Sequence, residues 1–70
     1  MIDTNRIRDH IEDQGVKLGY VANVLGISSN TLRLKLNNET EFKVSEADKL
    51  ASLLRLTREE RDACFFWHVS

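Results

Sequence analysis

Seventy residues with a formal charge of −1, 41% apolar and 30% charged side chains describe one ordinary globular domain, not a disordered or fibrous chain. The longest apolar run, Ala63 to Trp67, is five residues, against the roughly 20 that cross a bilayer. No charged-then-apolar signal segment opens the sequence, so a cytoplasmic, membrane-free protein is expected. A lone cysteine cannot staple the fold from within, and so short a chain rarely encloses a substrate pocket, so neither a disulfide-built secreted domain nor an enzyme is expected.

The small net charge hides an asymmetry. Residues 1–16 sum to −2, residues 17–43 to +2 and residues 44–70 to −1. The middle third is the only net basic stretch, and its excess is too small for nonspecific nucleic-acid binding by the whole-protein field.

In chain order, Asp3 caps a first helix, with Ile2 before the cap and Ile7 at the fourth helical position, the spacing of a hydrophobic staple. Ile7 and Ile11 share a face, and Gly15 supplies the left-handed stop. A second helix is predicted from Leu18, Val21, Ala22 and Leu25, ending at Gly26. Ser45, with Asp48 three residues on, precedes a helix whose apolar stripe is Ala47, Leu50, Ala51 and Leu54. Thr57 and Glu60 form a capping box opening a last helix, about 58–68, through Ala63, Phe66 and Trp67.

Residues 27–44 admit two readings. Leu32, Leu34 and Leu36 alternate with Arg33 and Lys35, and Phe42 alternates with Val44, which by period alone is a β-hairpin around Asn37-Asn38. The helical reading has more behind it. Ser28 is a good N-cap, Ile27 and Leu32 form a staple, Leu32 and Leu36 lie four apart, and residues 32–36 hold no β-branched side chain. Five helices and no strand follow.

On that reading residues 17–37 are two short helices joined by Gly26-Ile27-Ser28, a turn that sets helices near a right angle and lets the second project into a DNA major groove. Val21-Ala22, Leu25 to Ser28, Thr31-Leu32 and Asn37 resemble the helix-turn-helix of phage repressor and Cro-type transcription regulators. Leu36 to Phe42, Ser45 to Ala47 and Leu56 to Phe66 resemble small prophage and mobile-element members of that family.

The resemblance implies a single-domain, lambda-repressor-like all-α fold over residues 1–70. It further implies a sequence-specific repressor binding double-stranded operator DNA, acting by occlusion, with no cofactor and no small-molecule ligand. Bases would be read by Ser29, Asn30, Thr31 and Arg33, asparagine pairing with adenine and arginine with guanine. Asn37 matches a phosphate-bonding position, with Lys17, Lys35 and Lys43 as further phosphate contacts. Leu34, about 200° around the helix from Leu32, either packs on a thymine methyl or is a stray surface leucine.

Three departures from the family pattern stand out. Lys17 and Leu18 replace its usual threonine and glutamine, Asn38 replaces a common glycine, and Glu39 and Glu41 follow the recognition helix where acids oppose phosphate. Leu18, Leu34, Glu39 and Glu41 favour the alternative of an antirepressor-like protein-interaction module.

Phe65, Phe66 and Trp67 point three ways on a helix, more than one face can bury. With Val69 they form an expected homodimer interface within residues 63–69. Cys64 and His68 have metal-ligand spacing, but a structural zinc site needs two more ligands and only His10 remains as a histidine or cysteine donor. A buried thiol is the simpler reading, and no metal is expected.

Overall fold

A computed structural model describes residues 2–65. Five helices follow one another: α1 (Thr4–Gln14), α2 (Leu18–Leu25), α3 (Ser29–Leu36), α4 (Val44–Leu53) and α5 (Arg58–Phe65). Among the described residues there is no strand, so the alternation in 32–44 is resolved as helix and loop. The reason is burial. Leu32 and Leu36 are almost wholly enclosed on the inner face of α3 while Leu34 is only half-buried, whereas a strand would have set all three on one face.

The starts are capped much as the side chains allow. Asp3 Oδ1 accepts the Arg6 N–H at 3.2 Å, and Ser28 Oγ accepts that of Thr31 at 3.0 Å. Thr57 and Glu60 bond reciprocally: the Thr57 N–H donates to Glu60 Oε1 at 2.8 Å and the Glu60 N–H to Thr57 Oγ1 at 3.1 Å. The start of α4 corrects the sequence reading. The helix begins at Val44, not after Ser45, because Glu46 reaches back to accept the Lys43 N–H at 2.8 Å. Lysine has no acceptor of its own, so only the glutamate arm of that box exists.

Four of the ends repeat one solution. After α1, α2, α3 and α4 comes a residue with positive φ: Gly15 (67°) and Gly26 (73°) are themselves the caps, while Asn38 (62°) and Arg55 (55°) follow the caps Asn37 and Leu54. In each case the next N–H reaches back to the same carbonyl of the last turn: Val16 to Ile11, Ile27 to Ala22, Glu39 to Leu34 and Leu56 to Ala51, at 2.9–3.1 Å. These are Schellman closures. Glycine takes the conformation freely, asparagine with little cost, arginine under strain.

The core is one cluster. Ile7 and Ile11 of α1, Val21, Ala22 and Leu25 of α2, and Leu32 and Leu36 of α3 meet Ala47, Leu50, Ala51 and Leu54 from around α4. Phe42, Cys64 and Phe65 complete it. α2 packs against α3 and α4, while α1 packs against α3 and α5. The radius of gyration, 11.1 Å, equals the ~11 Å of a compact chain this long.

Phe65 corrects a second expectation. It is 2% exposed and meets Phe42 edge to face at 6.3 Å, so it belongs to the core and not to a dimer interface. Phe66, Trp67, His68 and Val69 lie outside the described residues. Cys64 is buried completely, and burial first, then the Asp3 carboxylate, push its thiol pKa up. No described helix is long and apolar enough to cross a membrane.

Candidate nucleic-acid interface

α2 ends and α3 begins within Gly26-Ile27-Ser28. Gly26 reverses the chain in left-handed conformation, Ile27 packs against the core, and Ser28 caps the next helix. Burial of Leu32 and Leu36 then fixes which side of α3 faces outward. Ser29, Asn30 and Arg33 lie on that outer side, all exposed, and their side chains make no hydrogen bond or ion pair among the described residues. Ser29 and Arg33 are one turn apart, and around the helix Arg33 lies between Ser29 and Asn30. This is a row of polar groups without protein partners on one side of a packed helix.

Not every expected residue joins that row. Thr31 is half-buried, and its hydroxyl accepts from Ser28 Oγ at 2.9 Å, so it is engaged in the capping turn. Leu34 is half-buried, less outward than its angle alone predicts.

Lys35 is the main correction. It is 6% exposed, and its ammonium lies 2.9 Å from Glu46 Oε1 and 2.9 Å from the Glu41 carbonyl, to which it donates. The Phe42 ring centroid is 5.8 Å away. Lys35 therefore ties α3 to the following loop and to α4, and it is not free to meet a phosphate. Burial pushes the Glu46 carboxyl pKa up. The Lys43 N–H, the Lys35 hydrogen bond, and the Lys35 and Lys43 charges outweigh that and hold it below its ordinary value. A charge buried this deeply persists only when paired.

The remaining cations stay exposed. Lys17 stands at the uncapped start of α2 and Lys43 at the start of α4. Glu39 and Glu41 are exposed in the loop after α3, close in sequence to Asn37 and Lys43.

Asn37, at the end of α3, is exposed and carries an interaction the sequence gives little sign of: Arg8 Nη2 donates to its Oδ1 at 2.7 Å. Beside it, Asn38 Nδ2 donates to Thr4 Oγ1 at 3.2 Å. Arg8 follows Ile7, which faces the core, and the packing of α1 on α3 is what brings it there. No short-range pattern could have signalled a contact across 29 positions.

Among the described residues, no three His, Cys, Asp or Glu side chains group as a metal site. The chain matches no protein-family model, no curated protein and no solved structure.

Proposed function

We propose that this chain is a helix-turn-helix transcription regulator of lambda-repressor-like fold that binds double-stranded operator DNA and represses by occlusion. The observation that carries this is the outer row of α3: Ser29, Asn30 and Arg33 are exposed and without intramolecular partners, on a helix whose other face is buried in the core. Such groups suit the major groove, where asparagine bonds adenine and arginine bonds guanine in bidentate fashion. Lys17, Lys43 and Asn37 supply backbone contacts.

An eight-residue α3 is about 12 Å long at about 1.5 Å per residue. That covers about four base pairs at about 3.4 Å per step, too few to specify a site. Two copies on a two-fold operator, with recognition helices about 34 Å apart, meet that need.

The test is a titration against the DNA beside the chain's own gene, with unrelated DNA as competitor, at two salt concentrations. Asn30→Ala and Arg33→Ala should each lose about 1–3 kcal/mol of discrimination and leave unrelated-DNA binding largely intact. Operator affinity unchanged in both variants removes the base-reading role.

A second reading has its own support. Leu18 (41% exposed) and Tyr20 (58%) stand out on α2, and Glu39 and Glu41 repel phosphate. The Leu18 and Tyr20 side chains lie on opposite sides of α2, Leu18 toward α1 and Tyr20 toward α4, and a protein-interaction module of antirepressor type would use one of them. Its binding would be nearly insensitive to salt, whereas log affinity for DNA falls about 0.9 per released counterion per log unit of salt.

A further inference from the structure

We infer that Arg8, on α1, is the positioning residue of a phosphodiester site at the end of α3, where it turns Asn37 into a pure donor and adds a positive charge. The inference rests on the DNA-binding reading above.

The argument starts from the 2.7 Å contact between Arg8 Nη2 and Asn37 Oδ1. Guanidinium has donors only, so the Asn37 group facing it must be the carbonyl oxygen, and the amide orientation is settled by chemistry. The Asn37 Nδ2, with its two N–H bonds, then points away from Arg8. Asn37 is exposed, and Nδ2 has no partner among the described residues. What the Asn37 side chain offers a ligand is N–H alone, the polarity that an anionic oxygen requires and a carbonyl would repel.

Arg8 is also a cation without a counterion. Glu12, four residues on along α1, lines the same shallow cleft, yet no ion pair joins the two, and Arg8 has no other among the described residues. Arg8 shares that cleft with Leu18 in the first turn of α2, beside exposed Lys17. One guanidinium thus stands between the start of α2 and the end of α3, the two points where a backbone flanking the α3 row would pass. The Asn38–Thr4 bond makes a second fastening between α1 and the end of α3, so the corner is held at two points.

The experiment measures affinity for operator and for unrelated duplex against salt, for the unaltered protein, Arg8→Met, Arg8→Lys, Asn37→Ala and the double variant Arg8→Met/Asn37→Ala. Methionine keeps the packing of the half-buried stem and removes the charge. Thermal melting of each variant without DNA checks the fold, and Arg8→Lys decides should Arg8→Met not fold.

Arg8→Met should weaken both duplexes by a similar factor, roughly tenfold for a charge-assisted hydrogen bond, with the salt slope lower by about one. Arg8→Lys should keep the slope. The double variant should lose clearly less than the product of the two single losses, because Asn37 without Arg8 is already misdirected. Inorganic phosphate at the same ionic strength should not compete, since the site is one contact of an extended backbone.

An Arg8→Met protein with unchanged affinity and slope, or single losses that simply multiply, overturns the inference and leaves the DNA-binding reading standing. An unaltered protein that shows no salt-sensitive binding overturns both.

Discussion

Replacing Lys35 by methionine should come close to unfolding the protein at neutral pH. The side chain is 6% exposed, and methionine fills much the same volume, so packing is nearly conserved and the electrostatic effect is isolated. At 2.9 Å from Glu46, the charge pair is worth about 6 kcal/mol at an effective dielectric of about 20. Desolvation of both groups offsets most of that while the pair is intact. Removing one partner leaves the other's desolvation uncompensated, which costs about 3–5 kcal/mol. The Glu41 carbonyl loses its donor as well.

Against a total stability of about 4–10 kcal/mol for a chain of this size, that loss is decisive. In urea unfolding followed by far-UV circular dichroism, with a slope of about 1 kcal/mol per molar, the midpoint should fall by about 3 M or more. The double variant Lys35→Met/Glu46→Met should recover to within about 1–2 kcal/mol of the original, because an apolar pair replaces the ionic one.

The acid limb has a definite sign. In the unaltered protein Glu46 has a depressed pKa in the fold, so its stabilisation is present above its ordinary value near 4.5 and is lost as pH falls through the lower folded value. Without Lys35 the folded pKa moves up, so the variant's deficit should shrink between pH 7 and pH 4. A loss below about 1 kcal/mol at pH 7, the size of a surface ion pair, with no pH dependence, would refute the reasoning.

Three further outcomes are expected. Gly26→Ala should destabilise by about 1–2 kcal/mol through backbone strain alone, since an added Cβ meets nothing within 4 Å at φ 73°; unchanged urea stability would mean the turn relaxes. Arg55→Gly at φ 55° should stabilise by up to about 1 kcal/mol, strain relief exceeding the added unfolded-state entropy, and a lower melting temperature would contradict that. Cys64, enclosed and with its thiol pKa raised, should resist thiol reagents in the native protein and react at a rate set by opening of the fold; labelling as fast as in the unfolded chain would place the thiol at the surface.

The helices were legible because their ends are chemical. Asp3, Ser28 and the Thr57–Glu60 pair cap where their hydrogen-bonding groups dictate, and Gly15 and Gly26 stop helices where φ must be positive. For Lys35 position outweighs charge type. It lies three residues after Leu32 and next to Leu36, on the inner face of α3, and Glu46 occupies the matching edge of α4 beside Ala47. Two opposite charges at inward positions of successive helices are a pairing signal that periodicity already contains. Phe65 is inward for a different reason: spacing alone does not sort three consecutive aromatics into inner and outer, and the packing of α5 on α1, with the Phe42 ring 23 positions away against Phe65, places it. Of the α3 residues assigned to base reading, those facing outward follow from the Leu32–Leu36 stripe, while the engagement of Thr31 with Ser28 depends on rotamers that no pattern encodes.

Asp3 donates its backbone N–H to the Cys64 carbonyl at 2.6 Å while its side chain caps α1 and meets Arg6 at 3.2 Å. A residue so near the start would ordinarily fray, exchanging its amide proton with water almost freely. Here that amide is fastened to the far end of the described chain, so loosening of the first turn of α1 and of the last turn of α5 breaks the same bond. Opening at either margin costs a contact shared by two segments some sixty residues apart in sequence. The fold has, in effect, a clasp where most small helical domains have two loose hems.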